Sequence, residues 1–191
     1  MEFGFFNLIL RKGGKRELVR AKEVVRPDPF EELVGSLGLR KNLGREELEG
    51  LVRRLEVNGA DVKRHCKGKG KIVGRRVAAG NGLLECVVCE WPQEADVFSV
   101  VHGRGFEVLR IWSGKLVLTE HYFVRGKVEP YCVAELSAGS VVCLPPAVFY
   151  RIENKGKERA CSLHFFSPPP GLQPASEGIR RLCKQGEIFL A

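Results

Sequence analysis

The stretch VVHGRGFEVLRIWSG, residues 100–114, places a histidine, a glutamate and a terminal glycine at fixed spacing among apolar residues. Four residues separate His102 from Glu107, and six separate Glu107 from Gly114. Valine, isoleucine and aromatic residues favour strands, and a glycine at the end of such a run is typical of a tight turn. The stretch therefore predicts paired strands that carry two polar side chains into a β-rich domain.

A second stretch, GSVVCLPPAVFYRIEN at residues 139–154, begins on a glycine and repeats this organisation. The two stretches together resemble the two motifs of the cupin superfamily, in which His-x-His, a glutamate and a final histidine hold one metal ion. By this resemblance Val100 stands at the first histidine position and Tyr150 at the last. His102 and Glu107 are the two positions that keep a metal-ligating residue.

The remainder of the chain after residue 58 has the pattern of a β-barrel. Short strand-like runs alternate with glycine, proline and asparagine clusters. The predicted strands are Lys71–Ala79, Leu83–Trp91, Phe98–His102, Glu107–Trp112, Lys115–Val124, Tyr131–Leu136, Ser140–Leu144, Phe149–Asn154 and Ala160–Phe166. This spacing predicts a mainly β fold, a cupin-type jelly-roll barrel.

Helical patterns occupy the chain before the barrel. Asp28 is placed to cap a helix over Phe30–Leu37. A second helix is predicted from Arg45 to Leu55, with one apolar stripe. We expect a short helical N-terminal cap over residues 1–58, the barrel over 59–171 and a tail over 172–191, all within one structural domain.

Separate motifs between about Arg75 and Pro169 resemble the cysteine dioxygenase family, a branch of the cupins. The matching pieces are Gly80-Asn81-Gly82, Trp91, His102, Gly114, Arg151-Ile152-Glu153-Asn154 and Ser162-Leu163-His164-Phe165-Phe166-Ser167-Pro168-Pro169. Members of the family hold a ferrous ion with three histidines and oxidise the thiol of cysteine to a sulfinate. The resemblance implies that fold and, where the ligands are intact, that chemistry.

Several family positions are altered in this chain. The arginine that grips the substrate carboxylate corresponds to Gly74, and a nearby tyrosine to Ile72. The thioether crosslink of some members would need a cysteine in place of Glu107 and a tyrosine in place of Phe166. From the Ser-His-Tyr set behind the metal, Ser162 and His164 remain without their tyrosine.

The residues leave several kinds of site open. A non-haem iron site needs three protein ligands, and His102 and Glu107 supply two. Tyr150 could join only as a phenolate, and His121 only if its strand faces the barrel interior. We therefore expect either no metal or partial occupancy, with Fe(II) or another divalent ion as the alternative. A closed hydrogen-bonded cluster of Glu107, His102 and the Tyr150 hydroxyl is the competing structural interpretation.

Candidate residues for chemistry and binding lie near these positions. Tyr150, Ser162 and His164 are the catalytic candidates. Arg76 lies two residues from Gly74 and so projects to the same strand face, whereas Arg75 projects to the other. Arg76 and Arg104 are the candidates for gripping a substrate carboxylate. His65 is expected on the surface.

Net charge and cysteine content indicate which ligands and which cellular compartment to expect. The chain has 191 residues and a formal net charge of +8, which favours an anionic ligand; a small thiol ligand is implied by the family resemblance. Its basic clusters lack the interleaved aromatics that stack on bases, so nucleic acid is disfavoured as a partner. Seven scattered cysteines fit a reducing cytoplasm. Cys86 and Cys89 are expected on opposite strand faces, and no membrane segment is predicted.

Three functions follow as hypotheses. The first is a degenerate cysteine-dioxygenase-like cupin that acts as a pseudoenzyme or a small-molecule-binding module. The alternative is an active thiol dioxygenase that oxidises a small thiol such as cysteine at a non-standard iron site. The third is a partner-binding role through the basic N-terminal segment. The sequence leaves the oligomeric state open.

Overall fold

The fold is described by a computed structural model. It covers the backbone of residues 8–12 and 15–19, and residues 26–37, 40, 42–66, 73–100, 105–124, 127–146 and 148–169. The predicted tail at residues 172–191, together with His102 and Arg104, lies outside these ranges.

Three helices precede the barrel: α1 Pro29–Leu37, α2 Arg45–Arg54 and α3 Gly59–His65. The Phe30 amide donates to Asp28 Oδ1 at 2.9 Å, which confirms the predicted cap of α1. In α2 the side chains of Leu48 and Val52 are fully buried, as the apolar stripe predicts. Within the described ranges, no helix is long and apolar enough to cross a membrane.

Helix α3 was missed by the sequence analysis, which assigned residues after Asn58 to the barrel. Asn58 and Asp61 form a reciprocal capping box in which each side chain accepts from the other residue's amide. This arrangement satisfies two amides at the helix start. The helical layer therefore continues to His65, seven residues beyond the predicted boundary.

Eleven strands are described, and all nine predicted barrel strands are present, Lys115–Val124 with the predicted bounds and the other eight with shifted ends. They are β1 Leu8–Lys12, β2 Lys15–Val19, β3 Gly74–Gly80, β4 Glu85–Trp91, β5 Asp96–Val100, β6 Phe106–Ser113, β7 Lys115–Val124, β8 Lys127–Ser137, β9 Val141–Leu144, β10 Phe149–Glu153 and β11 Ala160–Ser167. Strands β1 and β2 form a separate hairpin.

The other nine strands form two antiparallel sheets. One has the order β3-β4-β11-β6-β9 and the other β5-β10-β7-β8. Consecutive strands such as β4 and β5, β6 and β7, and β10 and β11 lie in different sheets, so the chain repeatedly crosses between them. This is the jelly-roll topology. The predicted fold class, a mainly β cupin-type jelly roll with a helical cap, is confirmed.

The five-stranded sheet has two differently packed faces. One face packs against the helices, with Cys86, Val88, Val108, Leu163 and Phe165 in a shared apolar cluster. The other face packs against the second sheet and forms the barrel interior, with Val87, Cys89, Trp91, Leu109, Ile111, Tyr150 and Ile152. The prediction that Cys86 and Cys89 face opposite sides is confirmed.

The glycines of both opening motifs sit in tight turns with left-handed backbone. Gly114, between β6 and β7, has φ +78°, and Gly139, after β8, has φ +90°. A side chain on Gly114 would also meet the Cβ of Ala160 at 2.7 Å. Glycine is thus required at residue 114 both for backbone conformation and for close approach.

Asn154, the last residue of the second motif, joins the loops at the end of the barrel near Trp91. Its side-chain amide donates to the carbonyls of Trp91, Pro92 and Glu158 at 2.9, 3.1 and 2.9 Å. Its oxygen accepts from the Gly156 amide at 3.0 Å. Asn154 is 1% exposed, so its role is to satisfy buried loop backbone.

Candidate functional site

Three of the predicted site residues form one continuous hydrogen-bonded network with Glu107 inside the barrel. The Tyr150 hydroxyl donates to Glu107 Oε2 at 2.8 Å. Glu107 Oε1 lies 2.5 Å from His164 Nδ1, and His164 Nε2 lies 2.7 Å from Ser162 Oγ. Trp91 Nε1 donates to the same Ser162 oxygen at 2.7 Å. We call these five residues the interior network.

Strand alternation explains how the network assembles. Ser162 and His164 lie two residues apart on β11, so they share its barrel-facing side. Glu107 is the first barrel-facing residue of the neighbouring β6 and pairs with Phe166 on β11. Tyr150 comes from β10 in the opposite sheet. Its bond to Glu107 therefore ties the two sheets together across the barrel.

The interior network is shut off from solvent. Glu107 and Ser162 are 0% exposed, and the other three members are buried as well. A carboxylate in this position must be matched by donors, since an isolated buried charge is strongly destabilising. Here both Glu107 oxygens have a donor.

The charge state of His164 follows from its partners. Burial lowers the pKa of this imidazole, but the charge and hydrogen bond of Cys89, followed by those of Glu107, outweigh burial and raise the pKa to about 10. The ring is therefore an imidazolium at neutral pH. Its Nδ1–H donates to Glu107 and its Nε2–H donates to Ser162 Oγ.

Tyr150 is held in its neutral, phenolic form. Burial raises the pKa of its hydroxyl well above the usual 10, and the negative charge of Glu107 raises it further. A phenolate ligand, one of the open alternatives, would require the opposite shift. The Tyr150 hydroxyl instead acts as a donor that stabilises the Glu107 carboxylate.

Two residues of this region were missed by the sequence analysis. Ser99, rather than Val100, is the strand neighbour of Tyr150; Ser99 is buried and forms a side-chain hydrogen bond with Tyr150. Cys89 lies opposite Ser162 in the β4–β11 register. Alternation along the strand is enough to place Cys89 on the barrel-facing side. The contact between Ser99 and Tyr150 follows only from the pairing of β5 with β10.

At the predicted metal position, the described side chains bind one another. Both Glu107 oxygens and both His164 ring nitrogens already have protein partners within the interior network. In the part of the chain that the structure describes, no three His, Cys, Asp or Glu side chains form a group suited to a metal. His102, the other predicted ligand, lies outside that part.

The other histidines lie away from the interior network. His121 pairs with Phe149, the neighbour of barrel-facing Tyr150, so it faces outward, where its ring contacts Phe98 at 5.0 Å between centroids. The option of His121 as a replacement ligand is therefore wrong. The expectation that His65 is exposed is wrong too, because His65 Nε2 lies 2.8 Å from Asp28 Oδ2 and its side chain is 13% exposed.

The strand register reverses the predicted orientation of two arginines. Arg76 pairs with helix-facing Val88, whereas Arg75 pairs with barrel-facing Cys89. The guanidinium of Arg75 lies 5.5 Å from the centroid of the Phe166 ring. Phe166 in turn stacks on His164 at 6.0 Å. Arg75, and not Arg76, is thus the cation on the side of the interior network.

Comparisons with known proteins show likeness to solved cupin-fold structures. An uncharacterised conserved protein with a double-stranded β-helix domain from Klebsiella pneumoniae is 20% identical, with a TM-score of 0.47 over 61% of this chain and 94% of that one. An RmlC-like cupin from Shewanella frigidimarina is 19% identical, with a TM-score of 0.41 over 55% and 83%. A cupin superfamily protein from Desulfitobacterium hafniense is 15% identical, with a TM-score of 0.44 over 55% and 84%.

No family model matches the chain, and no curated protein matches it. Membership of the cysteine dioxygenase family accordingly stays a prediction, as does a cytoplasmic location.

Proposed function

We propose that this chain is a degenerate, cysteine-dioxygenase-like cupin that binds a small molecule at its barrel without using catalytic iron. The main supporting observation is that both oxygens of Glu107 accept hydrogen bonds, one from Tyr150 and one from His164. A metal ion at this carboxylate would therefore compete with two hydrogen bonds that are already formed. An imidazolium at His164 likewise has no free lone pair.

The proposed ligand is a small anion or thiol. Support comes from Arg75 on the barrel-facing side of β3, whose side chain remains 35% exposed although its guanidinium lies 3.9 Å from Glu85 Oε1. Arginine suits a carboxylate because its planar fork can donate two parallel hydrogen bonds. Phe166, against which Arg75 lies, would supply an apolar wall for the remainder of the ligand.

If the protein is a pseudoenzyme, its iron content and its oxygen uptake should both be low. Elemental analysis should be performed on protein purified without a histidine tag, as isolated and after anaerobic loading with ferrous ion. We expect far less than one iron per chain and no thiol-dependent oxygen uptake. Stoichiometric iron together with oxygen consumption on addition of cysteine would overturn the proposal in favour of an active thiol dioxygenase. In that case Glu107→Ala should abolish both.

Ligand binding is tested by a matched pair of arginine variants. Small carboxylates and thiols are screened by thermal shift and isothermal titration, and each hit is repeated on Arg75→Ala and Arg76→Ala. These two residues are neighbours on one strand but lie on opposite faces. We expect Arg75→Ala to weaken binding about tenfold, by analogy with a lost charge-assisted hydrogen bond, and Arg76→Ala to leave it unchanged. Equal effects would contradict a site on the barrel side.

A further inference from the structure

The hairpin of β7 and β8 contains a β-bulge that directs an additional aromatic residue. Glu120 pairs with Cys132, but the next pair is His121 with Pro130, so Tyr131 has no partner on β7. A bulge places two residues opposite one and re-aims a side chain. The Tyr131 ring accordingly contacts the Tyr122 ring, with centroids 4.9 Å apart and planes at 90°.

This tyrosine pair lies on the barrel side of its sheet, beyond the interior network. Leu116 and Leu118 of β7 face the barrel, and alternation places Glu120 and Tyr122 on the same face. Glu120 pairs with Tyr150. Tyr122 lies two residues farther along β7, about 6.8 Å from the level of Tyr150.

Both tyrosines are open to solvent. Tyr131 is 74% exposed and Tyr122 is 38% exposed. Exposed rings of this size are large apolar surfaces, and the bulge turns one ring toward the other. The planes of the two rings are at right angles. We call this pair the tyrosine corner, a name used here only for Tyr122 and Tyr131.

Two carboxylates flank the tyrosine corner. Glu120 precedes Tyr122 on the same face of β7, and Glu129 pairs with Tyr122 from β8. Considering only partners in the described ranges, neither glutamate makes an ion pair or a side-chain hydrogen bond. Among the side chains that the structure describes, this corner thus combines two carboxylates with two electron-rich rings.

We propose that the tyrosine corner binds a methylated or quaternary ammonium group. The face of a tyrosine ring attracts a cation within about 6 Å of its centroid. Two rings at right angles can contact such a group on two sides, while Glu120 and Glu129 neutralise its charge. A quaternary ammonium suits the site because its methyl groups pack on the rings and it sheds water more readily than a primary ammonium. The inference does not depend on the function proposed above.

The test uses choline and tetramethylammonium as probes, with 3,3-dimethylbutan-1-ol as the uncharged isostere of choline. Binding is followed by two-dimensional NMR titration of the full chain. We expect saturable binding of both cations, with shifts centred on Tyr122 and Tyr131, and about tenfold weaker binding of the neutral alcohol, in line with cation–π and charge contributions. Equal affinity for the alcohol, or no saturable binding of the cations, would overturn the proposal.

Variants separate ring electrostatics from simple apolar contact. Tyr131→Ala should weaken choline binding about fivefold, whereas Tyr131→Phe should retain most of it because the ring face is kept. Glu120→Gln should also weaken binding. Val133→Ala is the matched control, since Val133 is an exposed apolar residue of the same strand that pairs with Thr119 rather than with the corner. A loss in Val133→Ala as large as in Tyr131→Ala would contradict a specific site.

Discussion

The two faces of β11 differ in what they bury. Toward the helices, Leu163 and Phe165 pack in an apolar cluster, and the neighbouring Arg110 donates to helix-layer carbonyls. Toward the second sheet, Ser162 and His164 alternate with them and join Glu107 and Tyr150 in the interior network. One strand thus contributes to an ordinary hydrophobic core on one side and to a buried, charged cluster on the other.

This difference indicates that the barrel-facing side of β11 is determined by more than packing. Apolar residues of similar volume could replace a buried ion pair at little loss, or even with a gain, in stability. The charged cluster links the two sheets, but an apolar cluster could do so at similar stability. Under the function proposed above, the network fixes the shape and charge of the barrel wall next to the ligand.

The largest expected effect comes from removing the charge at the centre of the network. Glu107→Ala leaves a buried imidazolium and a buried hydroxyl without their acceptor, and should lower the free energy of unfolding by about 3–5 kcal/mol. Equilibrium unfolding in urea measures it. The neighbouring Val108→Ala, on the helix-facing side, should lose only about 1–2 kcal/mol. Equal losses would erase the distinction between the two faces.

The helix-facing side should respond by packing alone. Leu163→Ala removes a fully buried side chain and should destabilise by about 3 kcal/mol, a typical value for a core cavity. Because Leu163 carries no charge, this loss should be the same at every pH at which the protein folds. Urea unfolding of this variant at two pH values checks the point, and a pH-dependent loss would show that the two faces are coupled.

The network, by contrast, should make stability depend on pH. The pKa of His164 is raised from 6.5 to about 10 in the folded protein. Above pH 6.5 the unfolded chain releases this proton while the folded chain keeps it, so stability is complete below 6.5 and falls as pH rises toward 10. Between pH 6.5 and about 8.5 the loss should be about 2–3 kcal/mol.

A histidine variant identifies the source of that pH dependence. His164→Gln should flatten the curve in this window, even if the variant is less stable overall. His121 does not interfere, because burial lowers its pKa and its titration then falls below the window. An unchanged slope in His164→Gln would contradict an imidazolium at this position.

The smallest effect concerns the bond between the sheets. Tyr150→Phe keeps the buried ring and removes the donor to Glu107 Oε2, so it should lower stability by about 1–3 kcal/mol. Tyr122→Phe, which changes an exposed hydroxyl, is the matched control and should leave the unfolding midpoint unchanged. Loss of the difference between these two variants would mean that the Tyr150 bond contributes nothing.

The sequence predicts the framework of this fold well, because strands are marked by local signals. The nine barrel strands follow from apolar runs between glycine and proline turns, and Gly114 shows why such turn residues are informative. Helix α3 was missed although its Asn58 and Asp61 stand at capping-box spacing, because the whole chain after residue 58 was assigned to the barrel.

The site is less predictable because it depends on register between distant strands. Motif spacing predicts Glu107, Tyr150, Ser162 and His164 as site residues. It does not predict which of their atoms are in contact. The orientation of Arg75 was predicted wrongly because the match of Gly74 to a family position was taken to fix the barrel-facing side of β3. The Tyr131 bulge is marked in the sequence by Pro130, since proline inside a strand is confined to edges and bulges, but the predicted strand began after it.

The central claim is that His164 is a protonated partner of Glu107 and not a metal ligand. Nitrogen-15 NMR of the imidazole groups at pH 8, on tag-free protein, tests it most directly, with His164→Gln used to assign the signal among the four histidines of the chain. The account predicts that both ring nitrogens of His164 are protonated. A neutral ring with one bare nitrogen, or a nitrogen bound to metal, would contradict it.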